Sequence, residues 1–452
     1  MEVCKLWREV AISCPPLWSS LEITYDSPLH RIEVFLERAK HAPLDITIDL
    51  TKYKPYTVAR ATNALGQDPL PEGEGQDVER IERNPRDRFY KVLRLIAPHM
   101  RHTRSLRITV FCKVYMCMAF EVLGTCAGAP MLETLALHRR CAGFCTGPRE
   151  QEFVLFNGNA PRLKDVVLRT THLDWERSRF LYGLRSMELM DLDVQLSPSF
   201  TTFARIAQES PNLEDLYFID SGPSWDGPRG FLEDHGADSS GVTSTRVGVA
   251  CRSSRTISLP SVRKFVLSHR RNPSFVSDLL SRIAFPRLTS LTLSLRWEDT
   301  TDVLYLLATP HPVTKQSVLG NLETMHLACI DRCQAPVVGT AMAAMRKVKT
   351  LRLNFHHVHG DWLHALIPVG TPDEPGGYGA VNLPLLETLH CDGVSGRSLM
   401  KLVKARAKAR VPLVNLYVSD ADWRSMETEH MEWLKGESGL QTFLAKNLSL
   451  RI

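Results

Sequence analysis

The apolar positions of this chain follow one recurring pattern. It reads apolar, two variable residues, apolar, one variable residue, apolar, often with a proline just before it. A clear instance is Met131-Leu132-Glu133-Thr134-Leu135-Ala136-Leu137. Further instances run from Leu163 to Leu168, Leu184 to Leu189, Leu213 to Phe218, Val262 to Leu267, Leu288 to Leu293 and Leu322 to Leu327. The series continues with Val348 to Leu353, Leu386 to Cys391 and Leu413 to Val418, and Thr103 to Ile108 is a degenerate copy. The last four residues of each copy alternate, which predicts a short strand with one buried face. Helical stripes lie between copies: Phe275-Val276-Leu279-Leu280-Ile283, Val303-Leu304-Leu307 and Leu399-Leu402-Val403-Ala407. The window from Val114 to Leu132 predicts a buried helix followed by a loop.

Most copies lie about 26 to 34 residues apart, close to the period of leucine-rich repeats. A lone strand–helix unit cannot bury both of its apolar faces, whereas stacked units can. The expected fold is therefore α/β, a leucine-rich-repeat-like curved solenoid of strand–helix units. A conventional α/β domain would instead show strands as continuous apolar runs. The chain has 452 residues, and at this length one elongated array replaces the roughly three domains of a size-based estimate. Three polar segments break the period and are expected to be surface insertions: 66–85, 221–258 and 368–380, the first two disordered. The expected division is 1–23, 24–102 as an N-terminal helix–strand cap, 103–419 as the array, and 420–452 as a C-terminal cap.

In such an array the residue between the last two apolar positions points away from the core. Along the chain this row reads Arg107, Ala136, Val167, Glu188, Tyr217, Val266, Thr292, His326, Arg352, His390 and Tyr417. Its C-terminal part is polar, and Arg and Tyr are favoured binding anchors. His326, Arg352, His390 and Tyr417 are thus the candidate partner-binding residues of the repeat face. Ordinary wet strand positions would look the same in sequence.

The first residues form a separate pattern. Val3, Trp7, Val10 and Cys14 share one helical face, and Pro15-Pro16 stops the helix. Trp18, Leu21 and Ile23 then fit the strand template, a helix from about Arg31 to Lys40 follows, and Leu44 to Ile48 alternates as a strand. The stretch Val3-Cys4-Lys5-Leu6-Trp7-Arg8-Glu9-Val10-Ala11, continued by Pro16-Leu17-Trp18, resembles the end of an F-box. It looks most like the large fungal (mushroom-type) group of F-box proteins with irregular leucine-rich repeats. Met431-Glu432-Trp433-Leu434 is similar to that group's closing helix. The family's opening LP-x-E segment and apolar helix have no counterpart before Val3, so the expectation is a partial F-box.

This resemblance implies a non-enzymatic, substrate-recruiting subunit of a Skp–cullin–F-box ubiquitin ligase. Val3, Cys4, Trp7, Val10 and Trp18 would contact the Skp-type adaptor, with a cullin in the same assembly and a protein target on the repeats. The alternative is a leucine-rich-repeat interaction scaffold with no ligase link.

Composition agrees with a globular repeat protein: 44% hydrophobic and 23% charged residues, with 27 Pro and 26 Gly. The net charge of +5 is mild, and the basic run Lys401-Lys404-Arg406-Lys408-Arg410 has no interleaved aromatics, so no nucleic-acid partner is expected. That run reads as the solvated face of a helix, and His138-Arg139-Arg140 and His269-Arg270-Arg271 are two further basic clusters. No apolar run suits a membrane span. The 11 Cys lack disulfide-framework spacing, which suits reduced thiols in the cytoplasm or nucleus. Phosphate-cradling glycine motifs, zinc spacings and nucleophile elbows were not found, so no cofactor, metal or catalytic residue is expected. The cluster His356, His357, His359, Asp361 and His364 reads as a loop rather than a metal site.

Overall fold

The computed structural model describes residues 4–51, 85–140, 153–171, 173–225, 256–269, 273–297, 299–330, 332–354, 361–368, 381–437 and 439–445. The inserted segments lie largely outside these residues, as do Val3, Cys141, Cys145, His356, His357 and His359.

Each predicted repeat forms a strand, and within each of two compact units the strands pair in parallel with those of the neighbouring repeats. The first compact unit spans Met1–Pro198 and Arg205–Gly222. It holds β1 (Ser20–Thr24), β2 (Leu44–Asp49), β3 (Thr103–Val110), β4 (Thr134–Arg139), β5 (Asp165–Arg169), β6 (Ser186–Met190) and β7 (Asp215–Ile219). The register joins equivalent repeat positions: Leu21, Ile46, Leu106, Leu135, Val166, Met187 and Leu216 face one another in turn. These side chains are nearly or fully buried, with Leu106, Leu135 and Leu216 at 0% exposure. Parallel strands need a return connection. Helices Leu29–Ala39, Pro85–Ile96 and Lys113–Gly124 supply it and bury Ile32, Leu36, Phe89, Leu93, Phe120 and Leu123 against the sheet.

The second unit spans Ser199–Ala204 and Pro223–Ile452. Its ladder is β9 (Lys264–His269), β11 (Ser290–Trp297), β12 (Thr324–Ile330), β13 (Thr350–Asn354), β14 (Thr388–Asp392), β15 (Asn415–Ser419) and β16 (Gln441–Ala445). Two short strands, β8 (Ile257–Ser258) and β10 (Ile283–Ala284), pair apart from it. Phe265, Leu291, Met325, Leu351, Leu389 and Leu416 form one buried line, each at 0% exposure. The connecting helices Pro273–Arg282, Thr301–Ala308 and Gly396–Lys408 match the three predicted stripes to within a few residues, and Ala335–Ala344 adds a fourth that the stripes do not include. Strand β16 was not foreseen: the template positions there hold Gly439 and Thr442 instead of two large apolar residues.

Two local devices set the register. First, the residue immediately before β4, β5, β6 and β7 extends the ladder. The Glu133, Lys164, Arg185 and Glu214 N–H groups bond the preceding repeat's carbonyl at 2.7 to 2.9 Å. Side chains of opposite sign meet along this line, as in Lys164–Glu133 at 3.3 Å and Arg185–Glu214 at 3.0 Å. Second, Thr170, Asp191 and Asp220, immediately after β5, β6 and β7, take left-handed φ of 51°, 49° and 46°. Asp tolerates this conformation and a β-branched Thr resists it, so Thr170 is held by its surroundings, and its N–H bonds the Met190 carbonyl at 2.9 Å.

One buried cation departs from the expected solvated helix face of Lys401 to Arg410. Arg406, on helix Gly396–Lys408, is fully buried. Its Nη1 donates to the Leu366 and Asn382 carbonyls at 3.4 and 3.2 Å, and its Nη2 to the Leu383 carbonyl at 2.9 Å. Burial pushes its pKa down to about 10, so it keeps its charge at neutral pH. Those three carbonyls flank the expected insertion 368–380 on both sides. On the same helix, a Cβ at Gly396 would meet the His430 Cβ at 2.9 Å and the Met426 thioether at 3.2 Å. Only glycine allows this close helix approach.

Candidate functional site

The four candidate residues of the repeat face lie in one register line. His326 of β12 pairs with Arg352 of β13, which pairs with His390 of β14, which pairs with Tyr417 of β15. Strand β16 adds Phe443 opposite Tyr417. The sequence pattern missed Phe443 because Gly439 and Thr442 fill two of the three apolar positions of its repeat. Strand spacing of about 4.8 Å is close to ring-stacking distance, and the planar side chains use it. His390 and Tyr417 stack at 4.1 Å with an 8° interplanar angle, and Tyr417 and Phe443 stack at 4.7 Å and 16°. The outer end is open, with Phe443 at 38% exposure and Leu444 at 55%.

The inner end differs from the expectation of a wet surface. His326 is only 7% exposed, as buried as its neighbour Thr292 at 8%. Its Nε2 and the Nδ1 of His390 have no hydrogen-bond partner among the described residues. Burial lowers the His326 pKa to about 3, with Arg352 and His390 adding to it. Burial and Arg352 lower that of His390 to about 4. Both imidazoles are therefore neutral at physiological pH, each with one donor and one acceptor. Burial also lowers the Arg352 pKa, opposed by Asp392, and the guanidinium stays charged. The line thus offers neutral hydrogen-bonding rings, one cation and a stacked aromatic end, a composition suited to gripping a polypeptide.

The N-terminal residues form the second candidate surface. Helix Lys5–Ser13 buries none of its side chains. Leu6, Trp7 and Val10 are 66%, 69% and 49% exposed, and Leu17 beyond it is 62% exposed. Cys4 is a free, exposed thiol. Trp18 plays a different part from these. Its Nε1 donates to the Ala11 carbonyl at 2.7 Å, its ring meets Phe35 edge-on at 5.0 Å, and the Arg38 guanidinium lies over it at 4.4 Å. Trp18 fastens the exposed helix to the first repeat, leaving Trp7 and Val10 outward.

Among the described residues no group of three His, Cys, Asp or Glu could hold a metal ion. No helix among them is long and apolar enough to cross a membrane.

No protein-family model matches the chain, and no curated protein matches it. Solved structures do resemble it at low identity. One is the complex of TLR13 with ssRNA13, with a TM-score of 0.38 and 14% identity over 77% of this chain and 46% of that one. This chain thus spans under half of that protein's length. Another is the yeast complex of Rad7 and Elc1, with a TM-score of 0.35 and 15% identity over 78% of this chain and 77% of that one. With its own in-register repeats, the chain is a leucine-rich-repeat-like α/β solenoid.

Proposed function

We propose that this chain recruits a protein target to a Skp–cullin–F-box ubiquitin ligase. It does so without catalytic chemistry of its own, in the cytoplasm or nucleus. The observation that carries this reading is the helix Lys5–Ser13, which exposes Leu6, Trp7 and Val10 while Trp18 ties it to helix Leu29–Ala39. A helix with no buried residue gains nothing from packing within its own chain. Its apolar stripe, large for an exposed surface, marks a docking surface. The F-box-like spelling of the same residues supports a Skp-type adaptor as the partner, with the cullin reached through it. The line from His326 to Phe443 then serves as the target-binding face.

Co-purification of the full chain with its cellular partners tests this. Stoichiometric recovery of a Skp-type adaptor and a cullin is expected. Trp7→Ala plus Val10→Asp should lower that recovery at least tenfold with the melting temperature unchanged. Complete absence of adaptor and cullin from the intact chain's complexes overturns the ligase reading and leaves an interaction scaffold.

A further inference from the structure

The first unit carries a different chemistry on the face opposite its core. Arg107 of β3 stands opposite Ala136 of β4. Two residues on, His138 sits between Thr109 of β3 and Arg169 of β5. Arg140 follows at the end of β4, its backbone N–H bonded to the Val110 carbonyl at 2.9 Å. With strands about 4.8 Å apart and about 3.3 Å of rise per residue, three guanidinium-bearing residues flank one imidazole, over about 10 Å across the strands and about 13 Å along them.

The charges there are incompletely matched. Arg169 is tied to Asp191 at 2.9 Å, and Asp49, opposite Thr109, accepts from the Thr51 hydroxyl. The guanidiniums of Arg107 and Arg140 are exposed, with no hydrogen-bonded or ion-paired partner among the described residues. The Nε2 of His138 is buried and lacks a hydrogen-bond partner among them. Burial first, then Arg169, Arg107 and Arg140, holds the His138 pKa below its ordinary value. Positive potential at a half-buried polar atom is what an incoming anion relieves.

We propose that Arg107, His138 and Arg140 form a receiving site for a phosphate monoester on a protein partner. This rests on the reading of the strand faces as protein-binding. Two guanidinium forks and an imidazole offer more donors than the two oxygens of a carboxylate can use, and they match a phosphate's three oxygens and near-double charge. A nucleic-acid strand is a poorer fit. It needs a run of cations and interleaved aromatics, whereas this row passes to Thr47 on one side and to Val167 and Glu188 on the other.

The test titrates the full chain at low ionic strength with phenyl phosphate, phenylacetate and a single-stranded oligothymidylate. Phenyl phosphate should give a saturable rise in melting temperature, with phenylacetate at least tenfold weaker. Arg107→Gln plus Arg140→Gln should weaken phenyl phosphate at least tenfold, while Arg287→Gln plus Arg346→Gln, exposed elsewhere, should leave it unchanged. No saturable response, an equal response in the Arg107/Arg140 variant, equal binding of phenylacetate, or tighter binding of the oligonucleotide overturns the assignment. The Arg107/Arg140 variant should retain adaptor and cullin on co-purification. Failure of the anion site is thereby separable from failure of the ligase reading.

Discussion

At the scale of single residues, the buried imidazoles make the fold sensitive to acid. His326 and His390 have pKa values of about 3 and about 4 in the folded chain, against roughly 6.5 when unfolded. Above pH 6.5 both states are neutral and the full stability is present. Below it the unfolded chain takes up protons that the folded chain refuses, so stability falls by up to about 1.4 kcal/mol per pH unit per group. His99, His102, His138 and His311 shift in the same direction, each chiefly through burial. Urea midpoints should therefore drop between pH 7 and pH 5, and His326→Gln plus His390→Gln should shrink that drop. An unchanged drop in the double variant counts against burial as its cause. Gly396 sets a second test. Ala should cost about 1–3 kcal/mol, the usual range for overpacking, because the added methyl meets His430 and Met426. An unaltered melting temperature would mean that the helices separate freely.

At the scale of elements, the strand is the unit that sequence reveals best. Every template copy became a strand because two apolar residues, spaced by one, can share a core only in extended backbone. The inward rows were legible for the same reason. The consequences of burial were less so. The register puts His326 in line with Thr292 and Arg352 rather than with the apolar row, yet it is nearly buried, and spacing along one strand does not report that. Phe443 escaped because Gly439 and Thr442 stand where large apolar residues mark the other repeats. Its place in the stack follows from its register with Tyr417. Tyr417 links both stacked pairs, each worth about 0.5–1.5 kcal/mol beyond burial. Tyr417→Ala should thus destabilise more than Phe443→Ala in thermal melts, and Tyr417→Phe should be nearly silent. In pull-downs, Arg352→Glu plus Tyr417→Ala should lose the target while adaptor recovery persists. Unchanged target recovery would remove this line from the binding face.

At the scale of the whole molecule, stability is distributed between neighbours rather than pooled in one core, as in other repeat arrays. Leu389 is fully buried and meets Leu351 and Leu416 in register. Leu389→Ala should cost about 2–5 kcal/mol. Hydrogen exchange should quicken in β13, β14 and β15 and stay within twofold of normal in β9. Uniform acceleration across the second unit would instead mark it as one cooperative block. The buried guanidinium of Arg406 bears on how such an array changes over time. It grips main-chain carbonyls of Leu366, Asn382 and Leu383, atoms that every amino acid supplies. These hydrogen bonds are therefore blind to which side chains stand at the three positions. The guanidinium is thus a rivet through the main chain, set between β13 and β14.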